Sequence, residues 1–112
     1  NEIRLSDTSN TESSLPTYYF NDVKDLSLPK GCKLVGIELL DDAEYLPSFK
    51  HPRLAAYILG SERYGLSKEI LKKCDKIIKV PTKFSLNLAL TGGIVLYDRI
   101  ISLKSFDNRP LI

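Results

Sequence analysis

Two apolar runs, each ending in a polar loop, constrain the fold of this chain most. The run over residues 54–59 breaks at Gly60 into a polar turn, and the run over residues 76–80 stops at Pro81 before another polar loop. Short apolar runs bounded by Gly or Pro are typical of buried strands, and a helical pattern follows each loop. Because open α/β sheets bind ligands at the carboxyl ends of their strands, these paired loops predict a ligand-binding α/β domain.

The length of 112 residues predicts a single domain over residues 1–112, within which residues 1–16 are predicted to form a loop. Apolar residues make up 43% and charged residues 27%, which indicates a globular chain. The 16 Lys and Arg against 14 Asp and Glu give a formal charge of +2. So small an excess does not by itself predict a nucleic-acid partner.

The rest of the composition excludes several classes of protein. Cys32 and Cys74 have no metal-site spacing and indicate reduced thiols of a cytoplasmic protein, although a disulfide between them stays open. No apolar run approaches the roughly 18 residues of a membrane span, and no cluster of metal ligands is present, so neither membrane nor metal is expected. His51, before Pro52, is predicted to lie in a surface turn, with a structural or solvent role rather than a catalytic one.

The pattern of apolar residues predicts strands and helices in alternation, and hence a parallel sheet with helices on its faces. The first strand is predicted over residues 33–40, followed by a helical turn within residues 41–49. Ser67 is predicted to cap a short helix, and a longer helix is predicted to begin near Ser85 and pass Ile100. The apolar residues of this longer helix predict burial on more than one side; they are Leu86, Leu88, Leu90, Ile94, Val95, Leu96, Tyr97 and Ile101. Gly92 and Gly93 within it predict a closely packed backbone.

Taken together, the two loops resemble the second and third motifs of the SpoU branch of SPOUT-class RNA methyltransferases. Residues 59–67 are Leu-Gly-Ser-Glu-Arg-Tyr-Gly-Leu-Ser, a full match to the second motif. Residues 80–87 are Val-Pro-Thr-Lys-Phe-Ser-Leu-Asn, and Leu-Tyr-Asp-Arg follows at residues 96–99, as in the third motif and its closing signature. The resemblance covers residues 33–101.

The resemblance implies a small parallel sheet flanked by helices, with a deep C-terminal trefoil knot in which the last helix threads behind the Gly60 loop. It also implies a homodimer that uses S-adenosylmethionine to methylate tRNA or rRNA, most often at a ribose 2′-hydroxyl. The residues implied to bind the cofactor, largely through main-chain groups, are Leu59, Gly60, Ser61, Ile78, Val80, Ser85, Leu86 and Leu88. The implied catalytic residues are Glu62, Ser85 and Asn87, and the implied RNA contacts are Arg63 and Lys83. A purely structural role for Asn87, as a helix cap, is an equal alternative.

The sequence departs from the family in its first motif, which carries an Asn and an Arg after a strand. Arg4 follows no predicted strand, so we do not assign it that role, and the chain resembles a member without its first strand and helix. A second interpretation is therefore a catalytically impaired dimer that binds S-adenosylmethionine and RNA. A third is an unrelated small α/β nucleotide binder. The target RNA, and the choice between ribose and base, stay open.

Overall fold

The structure is a computed structural model that describes residues 25–61, 63–82 and 87–108. These residues form a four-stranded parallel sheet and two helices. The strands are β1 (Lys33–Ile37), β2 (Glu44–Tyr45), β3 (Ala55–Leu59) and β4 (Lys76–Lys79). The helices are α1 (Lys68–Lys73) and α2 (Leu88–Leu103), and a single 3₁₀ turn (Leu46–Ser48) follows β2.

The strands are arranged in the order β2-β4-β1-β3, and every pairing is parallel. In β1, Ile37 is in register with Leu59 of β3 on one side and with Ile78 of β4 on the other. The chain therefore crosses β1 between β3 and β4, with α1 in the connection. This crossing is a topological switch point, the place where open α/β sheets form ligand crevices. The parallel sheet predicted from the sequence is confirmed.

Alternate residues of β1 face the two helices, because successive side chains of a strand point to opposite faces. Val35 and Ile37 belong to the buried core together with Val95 of α2. On the opposite face, a Cβ built on Gly36 would lie 2.9 Å from the Sγ atom of Cys74, at the C-terminal end of α1. The sheet is thus covered by α2 on one face and by the α1 segment on the other.

Cys74 and Cys32 are both free thiols. Burial, and to a lesser degree the negative charge of Asp75, raises the pKa of the Cys74 thiol above its ordinary value. A raised pKa keeps the thiol protonated at neutral pH, so Cys74 acts as a small apolar side chain packed on the sheet.

The apolar stripe of α2 is the clearest difference from the sequence-based expectation. Val95 is completely buried, but Leu90, Leu96, Tyr97 and Ile101 are 53%, 51%, 65% and 47% exposed. The prediction of burial on several sides is therefore wrong for this chain by itself, because the sheet covers only the side of α2 that carries Val95. The close backbone predicted at Gly92 and Gly93 is also not found among the described residues.

Two smaller differences concern the strands. The two-residue strand β2 was not predicted, since two residues carry no period. The residues of β3 are half-buried rather than covered on both faces.

No helix among the described residues combines the length and apolarity that a membrane crossing needs.

His51 lies in a buried polar network rather than in the predicted surface turn. The residue is 4% exposed, and its ring nitrogens contact the Tyr57 hydroxyl and the Asp98 carboxylate, each at 2.7 Å. Arg99 donates hydrogen bonds to the Tyr57 hydroxyl at 2.9 Å and to the Pro52 carbonyl at 2.6 Å. This network fastens the middle of α2 to β3 and to the loop before it.

We predict that His51→Ala lowers the free energy of unfolding by about 1–3 kcal/mol, because it removes the two short contacts that the buried ring makes with the part-buried Tyr57 hydroxyl and Asp98 carboxylate. Urea denaturation measures the loss. The matched control is Lys50→Ala, a truncation at the neighbouring exposed position, which should change stability by less than about 0.5 kcal/mol. Equal stability of the two variants would contradict the structural role assigned to the network.

Candidate functional site

A cleft of about 750 Å³ lies where β1, β3 and β4 end and α2 begins. Its walls come from five segments: the end of β1 with the residues after it, the turn after β3, one residue of α1, the end of β4 and the first turn of α2. The lining includes Ile37, Glu38, Leu39, Leu40, Leu59, Ser61, Arg63, Tyr64, Gly65, Leu66, Leu71, Lys79, Val80, Thr82, Asn87, Leu88 and Thr91. The two loops singled out in the sequence therefore open onto one hollow.

The turn after β3 owes its shape to two glycines. A Cβ at Gly60 would overlap the carbonyl group of Gly65, so the backbone passes closer there than any side chain permits. Gly65 has a φ of +68°, which favours glycine, and its N–H donates to the Ser61 carbonyl at 2.8 Å. The glycine spacing of the motif thus has a steric cause, namely a tight loop folded back on itself.

Glu38 braces this turn from the end of β1. Its Oε2 atom accepts a hydrogen bond from the Leu66 N–H at 2.7 Å, and its Oε1 atom accepts one from the Leu39 N–H at 3.2 Å. A Cβ at Gly65 would overlap the same carboxylate, so Gly65 also makes room for Glu38. Sequence analysis did not select Glu38, although a carboxylate directly after a buried strand was a usable signal.

Asn87 caps α2 at the opposite wall of the cleft. Its Oδ1 atom accepts hydrogen bonds from the N–H groups of Ala89 and Leu90 at 2.8 and 3.2 Å. Asn87 therefore forms a helix cap, and α2 begins at Leu88 rather than near Ser85. Since the carboxamide oxygen is engaged in the cap, Asn87 can offer a ligand only the N–H groups of its amide.

Lys79 is a second residue of the cleft that sequence analysis did not select. Its ammonium group donates to the carbonyls of Leu40 and Asp41 at 2.9 and 3.3 Å, and lies 4.8 Å from the centre of the Tyr45 ring. These bonds tie the end of β4 to the segment after β1. Among the described residues, no group of three or more His, Cys, Asp or Glu side chains is placed to hold a metal ion.

The predicted site residues fall into three groups. Those that line the cleft are Leu59, Ser61, Arg63, Val80, Asn87 and Leu88, and Gly60 shapes the turn beside them. Ile78 is fully buried in the core, and its carbonyl accepts the Glu38 N–H at 3.0 Å. Glu62, Lys83, Ser85 and Leu86 lie outside the described residues. The binding and catalytic roles expected of all of these residues stay predictions.

Comparisons with known proteins agree with the geometry. The sequence model of the SpoU rRNA Methylase family matches residues 5–97. An uncharacterized tRNA/rRNA methyltransferase of Archaeoglobus fulgidus is 41% identical over 46 residues, which are 38% of this chain and 20% of that protein. This chain is also similar to a solved structure described as giving structural insights into the 2-OH methylation of C/U34 on tRNA. The two superpose with a TM-score of 0.60 and 25% sequence identity, over 70% of this chain and 53% of the other. The chain thus spans a fifth to a half of the length of these relatives.

Gly60, which is crowded by another backbone segment, and Gly93, which faces open space, predict opposite effects of substitution by alanine. We expect Gly60→Ala to lower the free energy of unfolding by about 1–3 kcal/mol, because the new methyl group forces the turn apart. Gly93→Ala is the matched control: among the described residues, no atom beyond its own neighbouring helix backbone lies within 4 Å of a Cβ built there, and alanine favours a helix. It should raise stability by about 0.5–1 kcal/mol. Urea denaturation measures both, and a neutral Gly60→Ala would contradict the close backbone contact.

Proposed function

This chain belongs to the SpoU rRNA methylase family, and on that premise we propose that it is an RNA methyltransferase. In this proposal it transfers the methyl group of S-adenosylmethionine to a ribose 2′-hydroxyl of tRNA or rRNA. The observation that carries the proposal is the single cleft onto which the turn after β3, the end of β4 and the start of α2 all open. The tRNA/rRNA methyltransferase relatives support the RNA substrate.

The cleft suits an adenosyl group in size and in chemistry. Its volume of about 750 Å³ lies within the roughly 300–1,000 Å³ usual for small-molecule sites. The Gly60 turn brings main-chain groups close to the cavity without intervening side chains, as recognition of a flat nucleoside requires. Under this proposal the cofactor is held by main-chain groups of Leu59, Gly60, Ser61, Ile78, Val80, Ser85, Leu86 and Leu88.

The chemistry needs little from the protein beyond placement and one proton transfer. When bound, S-adenosylmethionine supplies a methyl group that is already activated by the sulfonium. The protein must hold the acceptor hydroxyl in line with that methyl group and must accept its proton. We propose Glu62, Ser85 and Asn87 for orienting the acceptor ribose, with Arg63 and Lys83 on the RNA phosphates. For Asn87 this means donation from the amide N–H groups, since its oxygen caps α2.

We further propose that the chain forms a homodimer through α2 and that its last helix threads a trefoil knot behind the Gly60 loop. The dimer is supported by a second groove of about 610 Å³ along α2, which is largely apolar. Leu90, Tyr97 and Ile101 line this groove and are about half exposed or more. Apolar patches of this kind mark protein interfaces more often than solvent-facing surface.

Isothermal titration calorimetry and a methyl-transfer assay test the activity on the same preparation. We expect binding of S-adenosylmethionine, no comparable binding of ATP, and transfer of radiolabelled methyl groups to bulk tRNA or rRNA. Digestion of the RNA to nucleosides should then recover the label in 2′-O-methylated species. Cofactor binding without transfer would instead identify the impaired binding module, and binding of ATP alone would contradict the proposed cofactor.

A pair of leucine substitutions tests the dimer. Leu90 and Leu96 are 53% and 51% exposed on the same helix, but only Leu90 lines the groove. We expect Leu90→Glu to weaken dimerisation about tenfold or more, because a carboxylate would be buried without a partner. Leu96→Glu should leave the dimer intact. Analytical ultracentrifugation measures both, and a wild-type protein that stays monomeric at all concentrations would contradict the proposal.

A further inference from the structure

Tyr64 stands out because the fold does not account for its side chain. It is 78% exposed, the greatest exposure among the exposed large apolar side chains of the described segments. It nevertheless lines the cleft, at the tip of the turn after β3. An aromatic ring held in water at the mouth of a cavity makes little contribution to stability, but it is available to a ligand that would cover it.

The backbone beneath Tyr64 is held in place. The Tyr64 N–H donates to the Ser61 Oγ atom at 3.0 Å, and the next residue, Gly65, donates to the Ser61 carbonyl at 2.8 Å. The contact of Gly60 with Gly65 and the bond from Leu66 to Glu38 close the turn on its other side. The ring is therefore held on a preorganised loop. Little further conformational entropy of the loop has to be lost when a ligand binds.

A guanidinium group accompanies the ring. The Cζ atom of Arg63 lies 5.5 Å from the centre of the Tyr64 ring, within the range of a cation–π contact. An aromatic face next to an arginine is the combination on which unpaired nucleobases stack, with the positive charge directed at the adjoining phosphate. Bases inside a duplex already stack on their neighbours, so this combination selects single-stranded RNA.

We propose that Tyr64 is a stacking platform for an unpaired base of the RNA substrate, beside the nucleotide that enters the cleft. The proposal rests on the proposed function, which supplies the RNA, and it deepens that function by naming the substrate class. The target nucleotide lies in a loop or another single-stranded segment. The ring of Tyr64 contacts the base, and Arg63 contacts the backbone.

Fluorescence of 2-aminopurine tests the stacking directly, since the emission of this base changes when it stacks on an aromatic ring. The probe is an RNA hairpin that carries 2-aminopurine at an unpaired loop position, titrated at low salt with the full chain. A second hairpin carries the same base paired in the stem. We expect the wild-type protein to change the emission of the loop probe and to leave that of the stem probe unchanged.

Three variants separate stacking from other roles of Tyr64. Tyr64→Phe keeps the aromatic face and should bind like the wild type. Tyr64→Leu keeps apolar bulk without a ring and should bind about 5- to 150-fold more weakly, the range that the loss of one stacked base gives. The matched control is Tyr45→Leu: Tyr45 is 54% exposed and also lies beside a cation, but it does not line the cleft, and its substitution should leave RNA binding unchanged.

Two outcomes would overturn the stacking proposal alone. One is that Tyr64→Leu binds RNA as tightly as the wild type and still changes the emission of the loop probe. The other is that Tyr64→Leu loses self-association or binding of S-adenosylmethionine instead, which would make the ring a dimer contact or a cofactor contact. Failure of the wild-type protein to bind either hairpin would instead remove RNA as the substrate, and the stacking proposal with it.

Discussion

The backbone contact between Gly60 and Gly65 is the constraint on which the site depends. It folds the chain back immediately after β3, so that the residues of the second motif stand at the end of the sheet. Glu38 stabilises this arrangement from β1. Its N–H is bonded to the Ile78 carbonyl of β4, and its carboxylate is bonded to the Leu66 N–H beyond the turn. One residue directly after β1 thus connects β1 to β4 and to the turn that follows β3.

Helix α2 links this site to the rest of the molecule. Its first turn, capped by Asn87, forms one wall of the cleft, and Val95 in its middle closes the core. Asp98 and Arg99 then fasten it to His51 and Tyr57. These contacts provide a structural explanation for Asp98 and Arg99 in the Leu-Tyr-Asp-Arg signature of the motif. Asp98 and Arg99 fix the position of the helix that the proposed cofactor and the proposed partner subunit share.

Local signals in the sequence were sufficient for part of this account. The three longer strands, the Ser67 cap and the shared hollow followed from apolar runs, breakers and the rule that ligands bind at strand ends. In each case the responsible residues are close together in the chain, where periodicity and turn chemistry are informative.

The remainder depends on tertiary contacts that no local pattern reports. The partner of Glu38 lies 28 residues away, and the Asp98 partner of His51 lies 47 residues away. The predicted burial of α2 on more than one side was wrong for a related reason. Periodicity identifies an apolar face of a helix but not what covers that face. In this chain the core buries Val95 and partly covers Ile94, whereas Leu90 and Tyr97 are left for another surface. Glu38 directly follows the strand β1, so the rule that ligands bind at the carboxyl ends of strands would have indicated this residue as well.

The central claim is that the cleft between the Gly60 turn and the start of α2 binds S-adenosylmethionine. Backbone amide chemical shifts of the ¹⁵N-labelled protein, recorded during titration with S-adenosylmethionine, test it most directly. The account predicts the largest shift changes at Ser61, Leu66, Val80 and Leu88, around one cavity. Changes confined to the groove along α2, at Leu90 and Tyr97, or no changes at saturating cofactor, would contradict it.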